Sequence, residues 1–129
     1  MKTLFQFFLS AFLVSSVSAE RSAPVEIAPV AVGHVMISAP HFCQIDGVPV
    51  SGGVLEARDS KSGKLVWSVQ VYKTAYDPAL EGDVQDVFIK TLSYDATHGL
   101  LILSDEKDRV FVVDLKSRKV TPIARGDAP

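Results

Sequence analysis

Short β-forming runs, separated by polar turns, constrain the fold of this chain more than any other feature. The clearest run is 64–72, in which Leu65, Trp67, Val69 and Val71 alternate with mainly polar residues. A period of two is typical of a half-buried β-strand, because successive side chains point to opposite faces. No stretch after residue 19 carries apolar residues at helical spacing over three turns, so the sequence predicts an all-β domain.

The second half of the chain has the pattern of a four-stranded antiparallel meander, with three short polar turns. In the first half, Pro29 restricts the first run to an edge strand, because proline cannot donate to a β-ladder. The wholly apolar run 100–103 predicts a strand with both faces covered. Residues 40–47 are predicted to be irregular. The predicted strands are 25–32, 34–39, 53–58, 64–72, 87–94, 100–103, 110–114 and 120–124.

The N-terminus has the pattern of a secretory signal peptide. Lys2 precedes a short apolar segment, 4–14, and Val17-Ser18-Ala19 supplies the small residues that signal peptidase requires. The apolar segment is about half the roughly 20 residues that span a bilayer, so a permanent anchor is the weaker interpretation, as is a buried N-terminal helix. We expect export to a periplasm or the extracellular space. The predicted organisation is a signal peptide at 1–19, a leader and edge segment at 20–33, and a β domain at 34–129.

Charge and cysteine content exclude several classes of function. Loss of Lys2 with the signal leaves 12 basic and 15 acidic residues, a formal charge of −3. No basic stripe or basic amphipathic helix is present, so neither nucleic acid nor a membrane surface is an expected partner. Cys43 is the single cysteine, so no intramolecular disulfide can form. It is either a buried thiol or the site of an intermolecular bridge.

One segment is more specific than the rest. Residues 57–67 read Ala-Arg-Asp-Ser-Lys-Ser-Gly-Lys-Leu-Val-Trp. This resembles the tryptophan-docking repeat of quinoprotein-type (PQQ-like) β-propellers, A-x-D-x-[KAD]-[TS]-G-x-x-x-W. In such a turn the aspartate caps backbone N–H groups, the glycine relieves the backbone, and the tryptophan packs a large flat surface. Every defined position is filled, by Ala57, Asp59, Lys61, Ser62, Gly63 and Trp67.

A degenerate copy of this motif lies 55 residues later, at 112–120. Arg118 stands where the first copy has Gly63, and Pro122 stands where it has Trp67. The second copy therefore keeps the turn residues and lacks the tryptophan. The matching positions are Asp114, Lys116, Ser117 and Lys119.

The resemblance implies antiparallel four-stranded meanders similar to about two propeller blades. Closed propellers typically have four to eight blades, so this chain is far too short for one, and we expect no quinone and no other cofactor. Two blades alone would leave open sheet edges, which promote association. The chain would cover these open edges by docking on a partner protein, by self-assembly, or by collapsing into a sandwich.

Two groups of side chains are candidates for binding. Histidine, thioether and thiolate ligands occur together at 34–43 and suit a copper site, although ordinary packing around Phe42 is the simpler interpretation. The acidic insertion 75–86 is predicted to be a loop, or to hold one helical turn at 78–81. It would contact a partner or bind calcium, a solvated acidic loop being the alternative. The metal candidates are His34, Met36, His41 and Cys43, and the acidic candidates are Asp77, Glu81, Asp83 and Asp86.

No nucleophile elbow, phosphate-binding loop or C-x-x-C motif occurs in the sequence, so we expect no enzyme. The predicted function is an exported, non-enzymatic binding or accessory module that docks a larger periplasmic or extracellular protein. The resemblance suggests a quinoprotein-type redox system as that partner. The alternatives are a self-assembling structural protein that closes a ring of blades, and a small metal-binding domain.

Overall fold

The computed structural model describes residues 23–124, and over that range the fold is all-β, as predicted. The predicted signal peptide, 1–19, lies outside the described residues. Ten strands and one short helix occur within the range. They are β1 (Val30–Val32), β2 (Val35–Ser38), β3 (Phe42–Ile45), β4 (Val48–Ser51), β5 (Val54–Asp59), β6 (Leu65–Gln70), α1 (Gly82–Gln85), β7 (Ile89–Asp95), β8 (Leu100–Asp105), β9 (Val110–Asp114) and β10 (Val120–Ile123).

The strands form two four-stranded antiparallel sheets and a separate hairpin. The first sheet has the order β1-β2-β5-β6, and the β3–β4 hairpin is inserted between its two middle strands. The second sheet has the order β7-β8-β9-β10, which confirms the predicted meander. Across the described range, no helix has the length and apolar character needed to cross a bilayer.

The two four-stranded sheets share one hydrophobic core, which gives the molecule a sandwich-like architecture. Each sheet turns one set of alternate side chains towards the other, and β1 lies against β7 along one side of the sandwich. Trp67 and Val69 of β6 pack at the margin of this core. The buried core residues are Ile37, Ala39, Leu55, Ala57, Val71, Ile89, Leu101, Leu103, Phe111 and Val113.

Three predictions of local structure were wrong. Residues 40–47 are not irregular, because Asp46 and Gly47 form a two-residue turn with φ angles of 51° and 80° that joins β3 to β4. Positive φ at both turn residues suits a tight hairpin, and the Asp-Gly pair is a strong signal for one. The helical turn in the acidic insertion is α1, four residues beyond the predicted 78–81. In β8, Leu100 and Ile102 stay partly exposed, so only one face of this strand is fully covered.

A β-bulge interrupts the predicted alternation of β6. Ala57 pairs with Trp67 and Arg58 pairs with Leu65, so the ladder skips Val66. One extra residue in a strand moves the side chains before it to the opposite face of the sheet. Leu65 therefore lies on the face of the exposed Arg58 rather than on the core face that Trp67 shares.

Candidate functional site

The turn of the 57–67 motif is held by one carboxylate. Asp59 Oδ1 accepts the backbone N–H groups of Lys61 at 2.9 Å and Ser62 at 2.8 Å. These hydrogen bonds stabilise the charged carboxylate, so the pKa of Asp59 lies below its ordinary value. Gly63 adopts a φ of 76°, which a residue with a side chain adopts at a cost. The four residues Asp59 to Ser62 thus lead the chain into β6.

The second copy of the motif forms the same turn. Asp114 Oδ1 accepts the N–H groups of Lys116 at 2.8 Å and Ser117 at 3.0 Å, and these bonds lower the pKa of Asp114. Arg118 has a φ of 60°, close to the value at Gly63 although arginine carries a side chain. The turn therefore persists without its glycine, as the degenerate sequence predicts.

The two motif copies meet across the sandwich. The Arg118 guanidinium carbon lies 5.0 Å from the centroid of the Trp67 ring. A cation over an indole face at this distance is attracted by the negative potential of the ring. The residue that interrupts the second motif thus contacts the tryptophan of the first. This contact between Arg118 and Trp67 was not predictable from the sequence, because it depends on how the two sheets pack.

β6 forms one edge of the first sheet, and half of its backbone groups face away from β5. Along an antiparallel ladder, residues that hydrogen-bond to the neighbouring strand alternate with residues whose backbone groups face away from it. Val71 is at a bonded position, because its N–H donates to the Gly53 carbonyl at 2.7 Å. Val69 therefore bonds to β5, whereas the N–H and C=O groups of Ser68 and Gln70 point outwards. Among residues 23–124, no strand pairs with this side of β6, and we call this backbone edge the docking edge.

The docking edge differs from the other edges of the two sheets. β1 and β7 lie against each other, and Pro29 precedes β1. β10 carries Pro122 at a position whose backbone faces away from β9. Because proline has no N–H, the β10 edge lacks a hydrogen-bond donor at this position. β6 contains neither proline nor a charged residue, and its Leu65 and Val66 are 48% and 54% exposed. An apolar, uncharged edge of this kind promotes strand pairing with another chain.

A cleft of about 530 Å³ begins where β6 ends. Gln70 is part of its wall, β4 and the residues after it form one side, and the acidic insertion forms the other. We call this the acidic cleft, because Asp83 and Asp86 line it. Its lining residues are Val48, Pro49, Val50, Ser51, Gly52, Gln70, Tyr72, Lys73, Thr74, Tyr76, Gly82, Asp83 and Asp86.

Hydrogen bonds order the acidic insertion. The Tyr76 hydroxyl donates to Asp86 Oδ1 at 2.6 Å, and burial together with this carboxylate raises the pKa of Tyr76 to about 12. The Gln85 amide accepts from the Asp77 N–H at 2.6 Å and donates to the Asp77 carbonyl at 3.0 Å. Of the four acidic candidates, Asp83 and Asp86 reach the cleft, whereas Asp77 and Glu81 lie on the exposed outer part of the insertion.

The metal candidates lie in different environments. His34 is exposed in the β1–β2 turn, whereas His41 is buried with its ring 4.3 Å from that of Phe88. Cys43 lies partly buried on β3, and burial raises the pKa of its thiol. Met36 is partly buried on β2. Over residues 23–124, no three histidine, cysteine or acidic side chains are grouped so as to hold a metal ion.

A buried carboxylate that sequence reasoning missed lies at the β8–β9 turn. Asp105 is fully buried, and its Oδ1 accepts the N–H groups of Lys107 and Arg109 at 2.9 and 3.0 Å. Its Oδ2 accepts from Arg109 Nε at 2.7 Å. The same guanidinium lies over the Tyr72 ring, which stacks on Phe111. The position of Asp105 at a turn, like that of Asp59, was the available signal.

Comparison with known proteins identifies no relative. No family model, no curated protein and no solved structure matches the chain.

Proposed function

We propose that this protein is an exported, non-enzymatic module that docks a larger periplasmic or extracellular protein through the edge of β6. The docking edge is the observation that supports the proposal most strongly. It combines outward-facing backbone groups at Ser68 and Gln70 with the exposed apolar side chains of Leu65 and Val66.

Strand addition is a common way for a sheet to bind another protein. Main-chain hydrogen bonds supply affinity, and pockets beside the edge supply specificity. The unpaired groups of Ser68 and Gln70 would form those hydrogen bonds, and Leu65 and Val66 would lose their contact with water. The proline on β10 and the contact between β1 and β7 leave β6 as the favoured edge.

The identity of the partner follows only from the resemblance of 57–67 to quinoprotein-type repeats. The motif ends at Trp67 within β6, so the docking edge continues the strand on which the motif ends. On this ground we propose a quinoprotein-type redox protein as the partner.

Substitution of Ser68 by proline tests the docking edge. Proline at this outward position removes a donor from the edge and leaves the β5–β6 hydrogen bonds intact. The tagged chain is exported in its native host, cross-linked gently and purified. We expect a stable hetero-complex with the native sequence and its loss in Ser68→Pro.

The matched control is Pro122→Ser, the converse exchange at an outward position of β10, which should leave the complex unchanged. Thermal unfolding of both variants checks that they remain folded. Light scattering after size exclusion gives the mass of the free protein, for which we expect a single chain. If the native sequence yields no cross-linked partner, the proposal is contradicted, and if the free protein forms a defined ring of several chains, self-assembly is favoured instead.

A further inference from the structure

The docking edge leads directly into the acidic cleft. Gln70 is the last residue of β6 and also lines the cleft, followed by Tyr72 and Thr74. A strand added along β6 would therefore continue past Gln70 into this space. At about 530 Å³ the cleft falls within the ordinary range of binding pockets, roughly 300–1,000 Å³.

The walls of the acidic cleft differ in character. Val48, Pro49 and Val50 of β4 provide an apolar side. Asp83 and Asp86 provide carboxylates on the opposite side, and Asp86 also accepts the Tyr76 hydroxyl. A lysine or arginine side chain matches this combination, because it has an apolar stem and a cationic head.

The charges around the cleft also favour a lysine or arginine side chain. The insertion 75–86, which forms one wall, contains four acidic residues and no basic one. Lys73, the basic residue in the cleft lining, is exposed and lies two residues before this segment. Like charges brought together at an interface are repulsive, so an acidic segment would be disfavoured here and a basic one attracted.

We infer that the docking segment of the partner is an extended strand that pairs with β6 and inserts a lysine or arginine side chain between β4 and Asp83. This inference rests on the proposed function, since it names the chemistry of the segment that the docking edge receives.

Peptide selection tests the inference without knowledge of the partner. A displayed library of random twelve-residue peptides is selected on the mature chain, and enriched peptides are synthesised and titrated by calorimetry. We expect enrichment of β-forming peptides with one lysine or arginine at a fixed position. Asp83→Asn should weaken their binding about fivefold, the effect of one partly exposed ion pair. Asp77→Asn, in the same insertion but outside the cleft lining, should leave binding unchanged.

The Ser68→Pro variant separates the two proposals. If enriched peptides lose binding in Ser68→Pro but show no preference for basic residues, or bind Asp83→Asn normally, the inference is wrong and docking at β6 stands. If no enriched peptide depends on Ser68, both proposals are wrong. Retention of lysine or arginine at one position, with sensitivity to both Ser68→Pro and Asp83→Asn, supports both.

Discussion

Removal of the Asp105 carboxylate should destabilise this domain more than removal of any exposed turn aspartate. Asp105 is fully buried, and three donors of Lys107 and Arg109 converge on its two oxygens within 3.0 Å. In Asp105→Ala, two backbone N–H groups and one guanidinium lose their acceptor together.

The magnitude follows from these contacts. Leaving one partner of a buried charge network uncompensated costs about 3–5 kcal/mol. Arg109 has a side chain that is 46% exposed, so water compensates part of its loss, and we take the lower end, about 3 kcal/mol. For a domain of this size, about 4 °C of melting temperature corresponds to 1 kcal/mol, so the midpoint should fall by about 12 °C. Asp105→Asn keeps an oxygen acceptor and should lose about half as much.

Urea unfolding followed by circular dichroism measures the free energy of unfolding of both variants. Asp114→Ala is the matched control, because Asp114 also accepts two turn N–H groups but, unlike Asp105, is not fully buried. The reasoning fails if Asp105→Ala costs less than about 1 kcal/mol, or no more than Asp114→Ala.

Three further predictions concern other positions. Gly52→Ala should lower the free energy of unfolding by at least about 2 kcal/mol in urea, because Gly52 has a φ of 79° and an added Cβ would collide with the Val87 carbonyl. Asp59 and Asp114 have lowered pKa values in the fold, so the two carboxylates stabilise the folded state above their unfolded pKa, and this stabilisation is lost as the pH falls through the folded pKa. The urea concentration at the unfolding midpoint should therefore drop below about pH 4, and should drop less steeply in Asp114→Asn. Burial raises the pKa of Cys43, so alkylation by iodoacetamide at pH 8 should be slower than that of a free cysteine peptide, and unfolding in urea should abolish the difference.

Local chemistry explains why much of the strand pattern was predictable. The meander of the second half follows from period-two runs and from turns that begin with an aspartate, such as Asp95 and Asp114. The same signals were overlooked at 46–47, where an Asp-Gly pair joins β3 to β4. A bulge such as that at Val66 gives no comparable signal, because it depends on how the partner strand pairs.

The candidate site was likewise predictable only in part from the sequence. The sequence singled out the motif of 57–67 and the acidic insertion, and the structure joins them, since Gln70 connects the strand of the motif to the cleft that Asp83 lines. Which acidic residues line the cleft could not be predicted, because the answer requires the position of β4 against the insertion.

By itself the sequence determined an all-β chain, the meander of its second half and the turns that begin at Asp59, Asp95 and Asp114, because alternation and turn aspartates act over a few neighbouring residues. The tertiary structure alone decided that β6 remains an open edge, that Arg118 contacts Trp67, and that Asp105 is buried. Each of these depends on the packing of segments that are distant in sequence. Burial and edge exposure are properties of that packing, and no local pattern encodes them.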